Sequence, residues 1–180
     1  MAEDKVKVLL RALEPSDIDL LYQWENDRKI WQVSNTLIPF SKYILKNYIE
    51  NSYKDIFEIK QQRFIIDVET GPEKYRSVGT IDLFDFDPQN QRAGIGILIA
   101  KDHDREKGYA TQALHELTKY AFEILHLNQL YCNIATDNKA SIHLFRKAGF
   151  EMIGVKKKWN RSSEGYKDEA LLQLINNKQW

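Results

Sequence analysis

The residues with the clearest chemical potential in this chain are Arg105-Glu106-Lys107-Gly108-Tyr109-Ala110-Thr111. They follow a β-rich run and open a helical one. A glycine at such a junction turns successive backbone N–H groups outward, where the first helical turn leaves them without partners. The positive end of the helix dipole adds to them, and the combination suits an anion such as a pyrophosphate. Gly108 allows close backbone approach, and Arg105 and Lys107 bring positive charge. On this segment alone, an ordinary charged loop capping a helix fits equally well.

A second segment, Asn138-Lys139-Ala140-Ser141-Ile142-His143-Leu144-Phe145-Arg146-Lys147-Ala148-Gly149-Phe150, stands one strand later. Asn138 reads as a helix N-cap after Thr136-Asp137, and Gly149 as a left-handed helix stop. Proton acceptors are scattered: Glu25 and Asp27 after the first helix, Asp82 and Asp85 on a strand. Simple alternation puts Asp82 on a face with Phe84 and Phe86, and Asp85 with Ile81 and Leu83. An acid on a largely apolar strand either marks a wet end or performs chemistry. No single base stands out.

Other chemistries lack their residues. There is no GxSxG elbow, no GxxxxGK[ST] loop, no HExxH and no CxxC. Gly94-Ile95-Gly96 begins a GxGxxG, but Ile99 stands at the third glycine's place. The lone Cys132 can form no internal disulfide, and His103, His115, His126 and His143 show no metal-ligand spacing. No metal is expected.

The elements that must position these groups alternate. Lys5–Ala12 predicts a strand, and Pro15-Ser16 a helix start with Ser16 as N-cap and Ile18, Leu21 and Tyr22 inward. Ser41 predicts a second helix carrying Ile44, Leu45, Tyr48 and Ile49. Phe64–Glu69 and Val78–Phe86 form a hairpin around Thr70-Gly71-Pro72-Glu73. Gln91–Ile99 is a strand whose Gly94 and Gly96 suggest a bulge or a close approach. A helix from Gly108 to about Leu125 buries Ala110, Ala113, Leu114, Leu117, Ala121 and Leu125. Gln129–Thr136, a helix at Asn138–Ala148, then Phe150–Trp159 and Tyr166–Ile175 around Asn160–Gly165 complete an α/β chain. Trp24, Trp31, Phe40 and Tyr43, around the first two helices, read as core packing or as a cap over a substrate.

The 180 residues have no linker or repeat, so 1–180 reads as a single domain. Hydrophobic residues make up 43%, enough for a core, and 26 basic residues balance 26 acidic ones. That balance argues against a general nucleic-acid or membrane-surface binder. Lys156, Lys157 and Lys158 read as an exposed strand face. Neither a signal peptide nor a membrane-length apolar run is visible, so a cytoplasmic protein is expected.

Taken together, the two segments resemble the coenzyme A-binding core of the GNAT superfamily of acyltransferases. The loop has its [QR]-x-x-G-x-[GA] form, and the helix its N-x-x-[AS]-x-x-[LF]-[YF]-x-x-x-G-F form. Order and spacing both match, and the likeness runs over essentially the whole chain. It is greatest to the branch holding spermidine N-acetyltransferases and ribosomal-protein N-terminal acetyltransferases.

The resemblance implies a mixed, mainly antiparallel sheet of about seven strands with flanking helices. The strands matching Gln91–Ile99 and Gln129–Thr136 splay, and coenzyme A enters that gap. Its pantetheine arm pairs with main chain near Leu98, Ile99 and Ala100, and its pyrophosphate meets Arg105, Glu106, Lys107, Gly108, Tyr109, Ala110 and Thr111. Asn138, Ser141 and Phe145 line the arm. The implied reaction is direct attack of a neutral primary amine on acetyl-CoA, with Asp82, Asp85 and Glu25 as base candidates. The acceptor is a polyamine or other small amine, or a protein N-terminus, and a homodimer is compatible. Two departures stand out. Phe145 replaces the family's frequent tyrosine, and Gly94 replaces an acid of the polyamine branch. The first leaves a non-catalytic acyl-CoA-binding module as the alternative.

Overall fold

The computed structural model describes residues 7–34, 36, 38–162 and 165–177. Lys5 and Val6 of the predicted first strand lie outside them, as do Ser163 and Glu164 of the predicted last turn. Seven strands form one sheet: β1 (Val8–Arg11), β2 (Gln62–Gly71), β3 (Lys74–Asp87), β4 (Arg92–Ile99), β5 (Gln129–Ala135), β6 (Glu151–Ser162) and β7 (Gly165–Ile175). Their order is β1-β2-β3-β4-β5-β7-β6. Every neighbouring pair is antiparallel except β4 and β5, which run parallel.

Among the described residues six α-helices flank it: α1 (Ile18–Glu25), α2 (Arg28–Ser34), α3 (Lys42–Asn51), α4 (Ile56–Ile59), α5 (Tyr109–Glu123) and α6 (Lys139–Lys147). The short α2 and α4 were not expected from periodicity, which needs more turns than either has. Ser41 caps α3, accepting from the Ile44 N–H at 3.2 Å. Ser16 caps nothing. A 3-10 turn over Pro15–Asp17 precedes α1, and Asp17 accepts from the Glu14 N–H at 2.8 Å instead. Asp17 is drawn inward because Arg11 grips both of its oxygens, at 2.7 and 2.8 Å.

Alternation along the strands divides two cores. One face carries Ile66, Ile81, Leu83, Ile95, Leu130, Cys132 and Leu172, packed under α5 and α6. Ala113, Leu114, Leu117 and Ala121 of α5 are fully buried there, as the 3.6-residue spacing predicts. The other face carries Ile65, Leu98 and Ala100 under α1 and α3, with Leu21, Trp24, Leu45 and Ile49 inward. Ile44 turns to solvent.

Candidate active site

The site is built where the sheet comes apart. Strands β4 and β5 pair only at Arg92–Gln129, Ala93–Leu130 and Gly94–Tyr131. Beyond that row β4 continues to Ile99 and β5 to Ala135 without pairing to each other. Five residues of β4 therefore border a cleft roughly 16 Å long at about 3.3 Å per residue. The expected bulge exists, but on the opposite strand. Asp85 and Phe86 of β3 face the single Ala93 of β4, and Asp85 takes φ 49°.

Main-chain direction in the cleft is set by one bond. The Ala100 N–H donates to Val78 O at 2.9 Å, so Ala100 faces β3. Alternation then turns Leu98 and Gly96 toward β3 as well, and Ile97 and Ile99 toward the cleft. The carbonyl of Leu98 lies 1.8 Å from where a Cβ on Gly79 would stand, so only glycine fits at that crossing. Of Leu98, Ile99 and Ala100, it is Ile99 that presents main chain to the gap. Sequence alternation identifies the strand but not which parity faces outward.

At the wide end of the cleft, α5 begins at Gly108, with φ 81° and no side-chain cap. Its first intrahelical bond runs from the Gln112 N–H to Gly108 O at 3.0 Å. The Tyr109, Ala110 and Thr111 N–H groups precede that bond, at the positive end of a 15-residue helix. Glu106 also has a left-handed backbone, φ 61°. Arg105 reaches back to Ile99 O at 3.5 Å and pairs with Asp102 at 2.9 Å. Across the gap Asn138 caps α6, its Oδ1 accepting from the Ser141 N–H at 3.1 Å. Three of the cofactor candidates turn away from the gap: Leu98 and Ala100 by their main chain, toward β3, and Phe145 by burial. Phe145 is 2% exposed and packs edge-on against Phe150, ring centroids 5.1 Å apart.

The narrow end holds the acids. Arg63 of β2 donates Nε to Asp82 Oδ1 and Nη1 to Glu25 Oε1, both at 2.6 Å. Asp82 stands opposite Gly96 of β4, which adds no side chain over the carboxylate. Trp31 holds the end of α1 by donating Nε1 to Glu25 O at 2.6 Å. Burial pushes the Asp82 carboxyl above the usual carboxylate range, Arg63 opposes this, and Glu25 adds repulsion. The Arg63 guanidinium itself is raised and stays charged, stacked 5.4 Å over the Tyr48 ring. Tyr48 and Arg63 line an open cleft with Asn51, Ser52 and Gln61. Sequence reasoning missed Arg63 and Tyr48, and only the strand pairing of β2 with β3 links Arg63 to Asp82.

Asp85 departs from its expected place. The bulge adds a residue, so Phe86 joins Ile81 and Leu83 in the core and Asp85 is left exposed. Its carboxylate accepts from the Tyr131 hydroxyl at 3.2 Å, and burial with Asp85 alongside pushes that phenol up to about 12. Trp24 is core and Phe40 half-buried, Tyr43 is exposed, and Asp27 is exposed and accepts from the Lys29 N–H.

Residues 7–151 match a family described as "Acetyltransferase (GNAT) domain". The spermidine N(1)-acetyltransferase of Escherichia coli K12 is 29% identical over 147 residues, 82% of this chain and 74% of that one. Among solved structures, spermidine N-acetyltransferase from Vibrio cholerae in complex with CoA and spermine superposes with TM-score 0.84. It is 22% identical, covering 95% of this chain and 96% of that one. A dodecameric structure of the Vibrio cholerae enzyme in an intermediate state gives 0.75 at 21% identity, covering 93% of each.

Proposed function

This chain belongs to the acetyltransferase (GNAT) family, and from that premise we propose that its acceptor is a cationic primary amine of the polyamine class. It is an acetyl-CoA-dependent N-acetyltransferase. The observation that carries the acceptor reading is the charge at the narrow end of the cleft. Two carboxylates, Glu25 and Asp82, share the guanidinium of Arg63 there, while Asp85 accepts from the Tyr131 hydroxyl at the last paired row. An excess of negative charge in a partly enclosed cleft concentrates cations and disfavours acidic acceptors. The relatives that are spermidine acetyltransferases agree with it.

In this reading the pyrophosphate lies on the N–H groups of Gly108–Thr111, and the pantetheine arm runs along the main chain of Ile97 and Ile99. The thioester then reaches the row of Gly94 and Gly96, beside Asp82. An ammonium drawn in by the carboxylates must lose a proton before nitrogen can attack the carbonyl carbon. Asp82 is the base we favour, because its raised carboxyl narrows the gap to the ammonium. The nitrogen–carbon bond forms, the carbon–sulfur bond breaks with the thiolate leaving, and the new amide nitrogen gives up its second proton to solvent. A thiol with pKa of about 8.5 departs tolerably without a proton donor, which is compatible with Phe145.

The test is release of free thiol from acetyl-CoA over polyamines, amino acids, aminoglycosides and peptides with free N-termini. Highest kcat/KM on a polyamine is expected. Preference for a peptide N-terminus or an acidic amine would overturn the acceptor reading while leaving the family intact. The same proposal places the enzyme in the cytoplasm as a homo-oligomer, the latter in keeping with the dodecameric relative.

A further inference from the structure

Among the residues of the 101–108 loop, all of them exposed but one, Asp104 is the exception, with a side chain only 1% exposed. A carboxylate withdrawn that far requires cationic partners. Arg76 of β3 supplies them as a two-pronged grip, Nη1 to Oδ2 and Nη2 to Oδ1, both at 2.8 Å. His103 Nε2 stands 3.5 Å away and Lys107 Nζ 3.8 Å. The Asp104 carboxyl is held below the usual range, chiefly by the Arg76 bonds. Arg76 lies on the β2–β3 hairpin, paired with Val68, and so ties the loop to a strand outside the cleft.

The turn immediately after Asp104 needs holding. Glu106 and Gly108, on either side of Lys107, both take left-handed backbone conformations, and for glutamate this is strained. These angles set where the N–H groups at the head of α5 point. The loop also places a carboxylate four residues before Gly108, and the Arg76 grip turns that charge inward and neutralises it.

We propose that Arg76 and Asp104 are positioning residues for the coenzyme, a clamp that preorganises the pyrophosphate turn without touching the reacting atoms. The proposal rests on the reading that this turn holds the pyrophosphate. A preformed turn removes an ordering cost from binding, so losing the clamp weakens affinity and leaves the chemical step alone.

The experiment measures acetyl-CoA kinetics for Arg76→Gln, Arg76→Lys and Gly108→Glu at saturating amine. Arg76 is the better site because its head is 42% exposed and Arg76→Gln tests the clamp without emptying the Asp104 niche. For Arg76→Gln the KM for acetyl-CoA should rise about tenfold, with kcat within about twofold, as expected for lost preorganisation. Arg76→Lys, keeping the charge but not the two-pronged geometry, should recover part of that loss. A KM unchanged in folded Arg76→Gln, with Gly108→Glu still abolishing binding, overturns the clamp and spares the site. A KM unchanged in Gly108→Glu as well overturns both, because the coenzyme then lies elsewhere. A fall in kcat equal to the fall in kcat/KM also overturns the clamp.

Discussion

A Cβ placed on Gly94 would stand 2.3 Å from the Phe84 ring, so the glycine of β4 and the phenylalanine of β3 share one space. The ring uses the room to meet Tyr131 edge-on, centroids 6.0 Å apart, on the last row before β4 and β5 separate. That accounts for the missing acid: a side chain at position 94 and a phenyl ring at 84 exclude each other. Gly94→Glu should lower stability by about 1–3 kcal/mol, the usual cost of overpacking. For a domain this size, that is a Tm lower by roughly 2–12 °C. Adding Phe84→Ala should return part of the loss. Thermal unfolding of the two single variants and the double variant measures it, and strictly additive losses would show that the ring is not the obstacle.

Acetyl-CoA should raise the Tm because it binds the native state. At about 100 times Kd the gain is about 2.7 kcal/mol, or roughly 5–11 °C. Gly108→Glu should abolish the shift, placing a carboxylate at the proposed pyrophosphate site. Its φ of 81° adds strain for any side chain, so the variant's own Tm without ligand should also fall. A scan of Tm against ligand concentration separates the two effects.

Glu25→Gln should move the acid limb of kcat/KM to lower pH. A base works when deprotonated, so the rate falls as pH drops through its pKa. Burial holds the Asp82 carboxyl above the usual range, and the Glu25 charge adds to that. Removing the charge lowers the Asp82 pKa, and the limb follows it down. A pH–rate profile at limiting amine reads this directly. An unmoved limb would assign proton removal to a group other than Asp82.

Phe145→Tyr should change kcat by less than about tenfold, about 1.4 kcal/mol of barrier. The ring sits in the core against Phe150, and a buried hydroxyl there must find a partner or cost stability. A somewhat lower Tm is therefore expected with turnover nearly unchanged. A kcat rise above about a hundredfold, with acetyl-CoA affinity constant, would show that a leaving-group acid matters here.

Much of this was legible in the sequence because the signals are local. Ser41 and Asn138 cap their helices, Gly149 ends α6 with φ 93°, and the inward stripe of α5 is spaced as its turns require. The Arg105–Thr111 and Asn138–Phe150 segments carried the family by themselves. Such features depend on residues a few positions apart, whose relative geometry the backbone fixes. The bulge at Asp85 was not legible, since one inserted residue reverses the faces beyond it and leaves no mark in composition. Nor were the partners of Asp82 and Asp104. Arg63 and Arg76 reach them over 19 and 28 residues of chain; strand register shortens the first distance, and the folding of the 101–108 loop against β3 shortens the second. Periodicity determined which residues could face a cleft. Tertiary pairing decided which carboxylates would meet a guanidinium there, because a charge is buried only where another segment brings its counterion.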